Sequence, residues 1–132
     1  MSYKIDHIGV AVRSLPETIQ FLEQTFSLKP IKIVETATMK GAFILIGDSE
    51  IELIEPTDPS ISIAKFIAKN GEGIHHISIR VNQLENVLQE LKKKGIKLID
   101  EKPRIGIHGT KIAFLNPEST KGILIELCQA ET

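Results

Sequence analysis

The sequence predicts an α+β protein built from two modules, each with the order strand, helix and three strands. One reason is an internal repeat, because Ile5–Val12 recurs as Ile74–Val81, 69 positions further along the chain. Another is the spacing of apolar residues, which alternates in both stretches and then takes a helical period after each of them. Both repeats also end alike, in Ile51–Leu53 and Ile125–Leu127. Such a repeat predicts one supersecondary unit used twice.

The first strand is predicted over residues 3–12 from strict alternation. One of its faces carries a polar residue, His7, among apolar or small neighbours. The opposite face carries only β-branched side chains, those of Ile8, Val10 and Val12. His7 therefore points away from the face that a covering helix would bury.

That covering helix is predicted to begin at Ser14 or Pro16, which are typical of helix N-termini. Its apolar stripe, at three- and four-residue spacing, consists of Leu15, Ile19, Leu22 and Phe26. The turns after the helix then separate three predicted strands, at 31–35, 41–46 and 50–55.

A connector helix is predicted to start near Asp58–Ser60 and to stop at Asn70–Gly71. The second module repeats the order of the first, with a strand at 74–81, a helix at 84–94, and strands at 96–99, 111–115 and 122–129. We therefore predict a single domain over 1–132, with module 1 at about 1–57, the connector at about 58–72 and module 2 at about 73–132.

The composition argues against several classes of partner. Sixteen basic and seventeen acidic side chains, without long like-charged blocks, do not favour a nucleic acid or a membrane surface. The sequence has no apolar run long enough to span a bilayer and no apolar signal segment at its start. Cys128 is the single cysteine, which agrees with a reducing compartment. We expect a cytoplasmic protein.

Each module supplies one histidine from its first strand and one glutamate from its last strand: His7, Glu52, His76 and Glu126. Burying four polar residues on apolar strands would cost free energy unless these residues are paired or bind a common ligand. Two imidazoles and two carboxylates suit zinc, cobalt, nickel, manganese or iron(II). We therefore predict that these four residues bind one divalent metal ion.

Other candidates are given more ordinary roles. Gly9 and Ser78 follow the histidines on the same face, and their small size would leave room for a ligand. His75 falls on the opposite face, where we expect a structural hydrogen bond. His108 lies in a Gly-rich loop, where it either contacts a ligand or is simply exposed to solvent. Cys128 is expected to be a packed thiol rather than a ligand or nucleophile.

With these residues placed, the chain resembles the vicinal oxygen chelate superfamily, and within it the methylmalonyl-CoA epimerase family. The matching stretches run almost from end to end and are Asp6–Val12, Ile51–Pro56, Ile63–Phe66, Gly71–Ile77, Gly106–Gly109 and Gly122–Leu127. The resemblance implies paired βαβββ modules that form a curved mixed sheet around a metal-binding cleft. It also implies one divalent ion (Co, Zn, Ni or Mn), an acyl-CoA thioester substrate and a homodimer.

The resemblance further implies epimerisation at C2 of methylmalonyl-CoA through a metal-stabilised enolate. Glu126 would then be a metal ligand and also a catalytic acid/base group. The second acid/base group is where the chain departs from the family. Gly41 stands where a glutamate is expected, and Glu35 could replace that glutamate only if its loop folds inward.

Other functions remain open on the sequence alone. A glyoxalase I-like lyase would isomerise a hemithioacetal with a carboxylate ligand as the moving base. A metal-free binding module is disfavoured because all four ligands are retained, and an extradiol dioxygenase because such enzymes are usually longer. A CoA pyrophosphate would need cations at the rim of the cleft, for which Arg104, Lys111 and Lys121 are available.

Overall fold

A computed structural model describes residues 3–129 of the chain. Within that range the chain forms eight strands and three helices, in the order β1 (Lys4–Ala11), α1 (Leu15–Phe26), β2 (Lys32–Glu35), β3 (Met39–Ile46), β4 (Ser49–Pro56), α2 (Ser62–Asn70), β5 (Gly73–Val81), α3 (Leu84–Lys93), β6 (Arg104–Ile105), β7 (Lys111–Phe114) and β8 (Ile125–Gln129). The α+β class and both strand-helix-three-strand orders predicted from the sequence are confirmed.

These elements fall into two compact units. The N-terminal unit is His7–His75, and the C-terminal unit contains the described residues of 1–6 and 76–132. No helix among the described residues is long and apolar enough to cross a membrane.

The sheet of the N-terminal unit has the strand order β2-β3-β4-β1. β1 and β4 are parallel, with Gly9 opposite Glu52, whereas β3 is antiparallel to both β4 and β2. Helix α1 covers one face of this sheet. The side chains packed in that layer are Val10, Val12, Leu15, Ile19, Leu22, Leu28, Ala42, Ile44, Ile51 and Leu53.

The C-terminal unit repeats this topology, with the order β5-β8-β7-β6. β5 and β8 are parallel, with Ser78 opposite Glu126, and β7 is antiparallel to both β8 and β6. Helix α3 covers the face that carries Leu127. The core of this unit comprises Ile79, Val81, Leu84, Val87, Leu88, Leu91, Leu98, Ala113, Leu115, Ile125 and Leu127.

Helix α1 begins where the sequence predicts, but its final turn differs from the prediction. Ser14 is the N-cap, and its Oγ accepts a hydrogen bond from the backbone N–H of Glu17. Phe26, predicted to lie in the apolar stripe, is instead 61% exposed. The reason is that Ser27 adopts a left-handed conformation and ends the helix, so that Leu28 packs into the core in its place.

The strand predicted at 96–99 is wrong. That segment makes a single bridge, between Leu98 and Leu115, and the edge strand β6 lies later in the sequence. Its backbone N–H groups find other partners, since Lys97 donates to Ser119 Oγ and Ile99 donates to the carbonyl of Phe114. The segment therefore runs beside the end of β7 without forming a ladder.

The connector helix α2 begins at Ser62, later than the predicted start. Before it, the Asp58 carboxylate accepts hydrogen bonds from the backbone and hydroxyl of Ser60, which lowers the pKa of Asp58. That local turn competes with a helical conformation at Asp58. Ile63, the buried residue of α2, packs with Ile54 on the face of the N-terminal sheet away from α1.

Candidate metal centre

The N-terminal unit holds a buried histidine–glutamate pair. His7 Nε2 lies 3.2 Å from Glu52 Oε2, and the two residues are 2% and 3% exposed. Alternation directs both away from the α1 layer, because Ile51 and Leu53 occupy that layer on either side of Glu52. The sequence thus predicted correctly the face on which each residue lies.

The C-terminal unit holds an equivalent pair. His76 Nε2 lies 3.7 Å from Glu126 Oε2, and the residues are 3% and 5% exposed. Leu127 belongs to the α3 layer, so Glu126 faces the other way. The ring of Phe114 packs edge-on against His76, with 5.5 Å between the centroids. Each unit therefore presents one imidazole nitrogen beside one carboxylate.

Ser78 has a role that the sequence did not reveal. The sequence suggested only that this residue is small, yet it is fully buried and its Oγ donates to Glu126 Oε1 at 2.7 Å. The hydrogen bond fixes one carboxylate oxygen and leaves the other beside His76. Gly9, its counterpart in the repeat, has no side chain to offer Glu52, so the two pairs differ in this support.

The donor set fits a divalent metal ion. Ligand atoms about 2.1 Å from a metal lie roughly 3.0 to 3.4 Å apart at octahedral to tetrahedral angles. The 3.2 Å separation of His7 and Glu52 is in that range, and the 3.7 Å separation of His76 and Glu126 is slightly wider. Carboxylates as buried as these need positive partners, which either a protonated imidazole or a metal ion can provide.

Neither of the two positions that bear on the second acid/base group offers a buried carboxylate like that of Glu126. Glu35 lies at the end of the edge strand β2, where its side chain is 67% exposed and 3.9 Å from the Lys40 ammonium. Gly41 is buried in β3, opposite Ile54 of β4. The Glu35 loop is therefore not folded inward.

The remaining histidines, His75 and His108, are not members of these pairs. His75 packs edge-on against Phe66 of α2, with 5.1 Å between the ring centroids. His108 lies in a tight loop in which Gly109 N–H donates to the carbonyl of Gly106. The expected hydrogen-bonding role of His75 and the two alternatives for His108 stay predictions.

Cys128 lies on the face of Glu126 but has the character of a packed thiol. It is 4% exposed, and burial raises its pKa to about 12, opposed in part by a hydrogen bond with Ser78. A thiol with so high a pKa is almost entirely protonated at neutral pH.

We predict that Cys128 reacts slowly with iodoacetamide. At pH 8 only about 1 in 10,000 of these thiols would be ionised, and burial also blocks access. Alkylation of the native protein should be at least about 100-fold slower than alkylation of the urea-unfolded chain, as followed by intact mass. Equal rates would show that the thiol is reactive and would contradict its assignment as a packed residue.

Comparison with known proteins identifies the family. Residues 6–114 match the family model of the glyoxalase/bleomycin resistance protein/dioxygenase superfamily. A crystal structure of a hypothetical protein from Bacillus halodurans C-125 has a TM-score of 0.95 and 42% identity, and the match covers 100% of this chain and 97% of that one.

Two characterised relatives are also similar over nearly the whole chain. The ethylmalonyl-CoA/methylmalonyl-CoA epimerase of Cereibacter sphaeroides is 37% identical over 131 residues, 96% of this chain and 97% of the relative. A methylmalonyl-CoA epimerase from Streptomyces coelicolor, solved in complex with 2-nitronate-propionyl-CoA, has a TM-score of 0.91 and 31% identity over 98% of this chain and 95% of its own. This superfamily is the vicinal oxygen chelate superfamily predicted from the sequence, so that prediction is confirmed. The chain belongs to the glyoxalase/bleomycin resistance protein/dioxygenase superfamily.

Proposed function

We propose that the protein is a metal-dependent epimerase of methylmalonyl-CoA or a closely related 2-substituted malonyl thioester. The observation that carries this proposal is the buried Glu126 carboxylate, held by Ser78 and placed beside His76. Epimerase relatives that match the chain almost end to end support it. The proposal makes the protein an isomerase.

We further propose that His7, Glu52, His76 and Glu126 together hold one divalent ion. The support is chemical, because each unit offers a buried nitrogen and a buried carboxylate oxygen, the donor types that zinc, cobalt, nickel and manganese accept. When bound, the ion supplies Lewis-acid stabilisation of the negative charge that develops on the substrate oxygens.

The proposed reaction begins with proton transfer to Glu126. C2 of the substrate lies between two carbonyl carbons, so its hydrogen is acidic enough for a carboxylate to remove. The C–H electron pair then becomes part of an enolate, and the proton resides on Glu126. The hydrogen bond from Ser78 keeps that carboxylate in one orientation. Return of a proton to the opposite face of C2 gives the other epimer.

Return of a proton to the opposite face of C2 requires a second proton donor, and neither Gly41 nor Glu35 is placed to be one. Gly41 carries no side chain, and Glu35 is paired with Lys40 at the exposed edge of its sheet. A glyoxalase I-like isomerisation of a hemithioacetal needs only one moving carboxylate. This second function is therefore the alternative against which the first must be tested.

The test is deuterium exchange with metal-reconstituted protein. In heavy water, methylmalonyl-CoA should lose its C2 proton signal and its two epimers should interconvert, and a chelator should stop both processes. A hemithioacetal of methylglyoxal and glutathione is assayed in parallel. Turnover of the hemithioacetal without C2 exchange would reject the epimerase and support the lyase, whereas activity that survives the chelator would reject metal dependence.

A further inference from the structure

Strand register places Arg104 on the same face of the C-terminal sheet as Glu126. Arg104 lies opposite Ile112 on β7, and Ile112 lies opposite Cys128 on β8. Phe114 in turn lies opposite Glu126. Directly opposed residues of antiparallel strands share a face, so the guanidinium and the carboxylate project from the same side of the sheet.

The guanidinium of Arg104 is held in position by two neighbours. Its Nε donates to Asp100 Oδ1 at 3.1 Å, while Asp100 Oδ2 accepts from the backbone N–H of Phe114 at 2.8 Å. Its Cζ lies 5.4 Å from the centroid of the Phe114 ring. Asp100 is largely buried and therefore fixes the arginine more firmly than a surface carboxylate would.

This anchoring uses only part of the donor capacity of Arg104. Among the described residues no protein group accepts from its two Nη groups, and the side chain is 54% exposed. The Phe114 ring on which it lies contacts His76 at 5.5 Å, so Arg104 Cζ is at most about 11 Å from the His76 ring. Four N–H donors thus have no protein acceptor among the described residues, on a half-exposed guanidinium whose Cζ lies within about 11 Å of the His76 ring.

A second arginine on this face is less suited to the same task. Arg80 lies opposite Cys128, and its Nε is paired with Asp6 at 2.9 Å. Among the described residues it is not stacked on a ring that contacts His76. Arg104 is both anchored and linked to His76 through the Phe114 ring, whereas Arg80 is anchored without such a ring contact among the described residues.

We propose that Arg104 binds an oxyanion of the acyl-CoA substrate through its two Nη groups. This inference rests on the proposed function, and it adds a residue that recognises the substrate. A planar guanidinium with unpaired Nη groups matches the geometry of a carboxylate or phosphate. The anion is either the acyl carboxylate or a phosphate of CoA, and the two can be separated by experiment.

The experiment measures binding by calorimetry with metal-loaded protein. Propionyl-CoA carries the phosphates without the carboxylate, and methylmalonyl-pantetheine carries the carboxylate without the phosphates. Arg104→Gln should weaken binding of one of them by about 10- to 100-fold. Arg104→Lys, which keeps the charge but not the planar fork, should show a smaller loss. Lys102→Gln, an exposed charge two residues away, is the matched control.

The ligand affected identifies the anion. A loss confined to propionyl-CoA assigns Arg104 to a CoA phosphate, and a loss confined to methylmalonyl-pantetheine assigns it to the acyl carboxylate. Changes no larger than those of Lys102→Gln would overturn the inference, as would equal losses for both ligands together with a lowered Tm. Wild-type protein that binds these esters without exchanging the C2 proton would reject the epimerase while leaving the role of Arg104 intact.

Discussion

Glu126→Gln should lower the rate of C2 proton exchange by about 100- to 10,000-fold, the range typical of a lost general base. Glutamine keeps the shape of the side chain and can still accept the hydrogen bond that Ser78 now donates to Oε1. It has no carboxylate to receive a proton. The effect should therefore fall on turnover, measured as deuterium incorporation from heavy water at saturating metal and substrate.

Two variants serve as controls for Glu126→Gln. Cys128→Ser changes a protonated, buried thiol on the same face and should be nearly silent. Glu52→Gln alters the matching carboxylate of the other module, a proposed metal ligand that has no proton to carry, so turnover at saturating metal should fall less than in Glu126→Gln. A comparable loss in Cys128→Ser would contradict the role assignments, and a comparable loss in Glu52→Gln would show that proton transfer does not belong to Glu126 alone.

The sequence predicted well whatever depends on the local direction of a side chain. Alternation alone placed His7 away from Val10, and Glu126 away from Leu127, because successive strand residues point to opposite faces. The internal repeat then grouped two histidines and two glutamates as candidates for one site, although none of them is distinctive by itself. Both signals are read from the sequence alone, so no knowledge of strand pairing was needed.

What depends on pairing between strands could not be predicted. The role of Ser78 follows from its register opposite Glu126, and register is set by contacts between residues 48 positions apart. The position of Arg104 follows in the same way from its pairing with Ile112. A two-residue strand such as β6 is too short for any periodic pattern to indicate it.

Tertiary contacts also overrode one helical pattern. Phe26 fits the spacing of the apolar stripe of α1, but the chain turns at Ser27 and brings Leu28 into the core. Phe26 then packs edge-on against Phe21, and both rings are largely exposed. Helical spacing predicts which face a residue occupies, whereas the end of the helix decides whether the core reaches it.

His7→Ala and His76→Ala should each strongly weaken binding of the metal ion. If both His–Glu pairs hold the same ion, the wild-type protein binds one metal per chain. Loss of either imidazole then removes a ligand from that single ion and should weaken binding by at least about 100-fold, since even the loss of an outer-shell partner costs 10- to 100-fold. The measurements are calorimetric titration with Co²⁺, the visible absorption of the bound cobalt, and metal content after dialysis.

The stoichiometry discriminates between one shared ion and two separate sites. If each pair bound its own ion, wild-type protein would bind two, and either single variant would keep one with unchanged affinity. His108→Ala is the matched control, because this histidine of the 106–109 loop belongs to neither pair, so its replacement should leave Co²⁺ binding unaltered. One ion in wild type, with parallel losses in two variants 69 residues apart in sequence, would mean that the repeat serves a single metal centre.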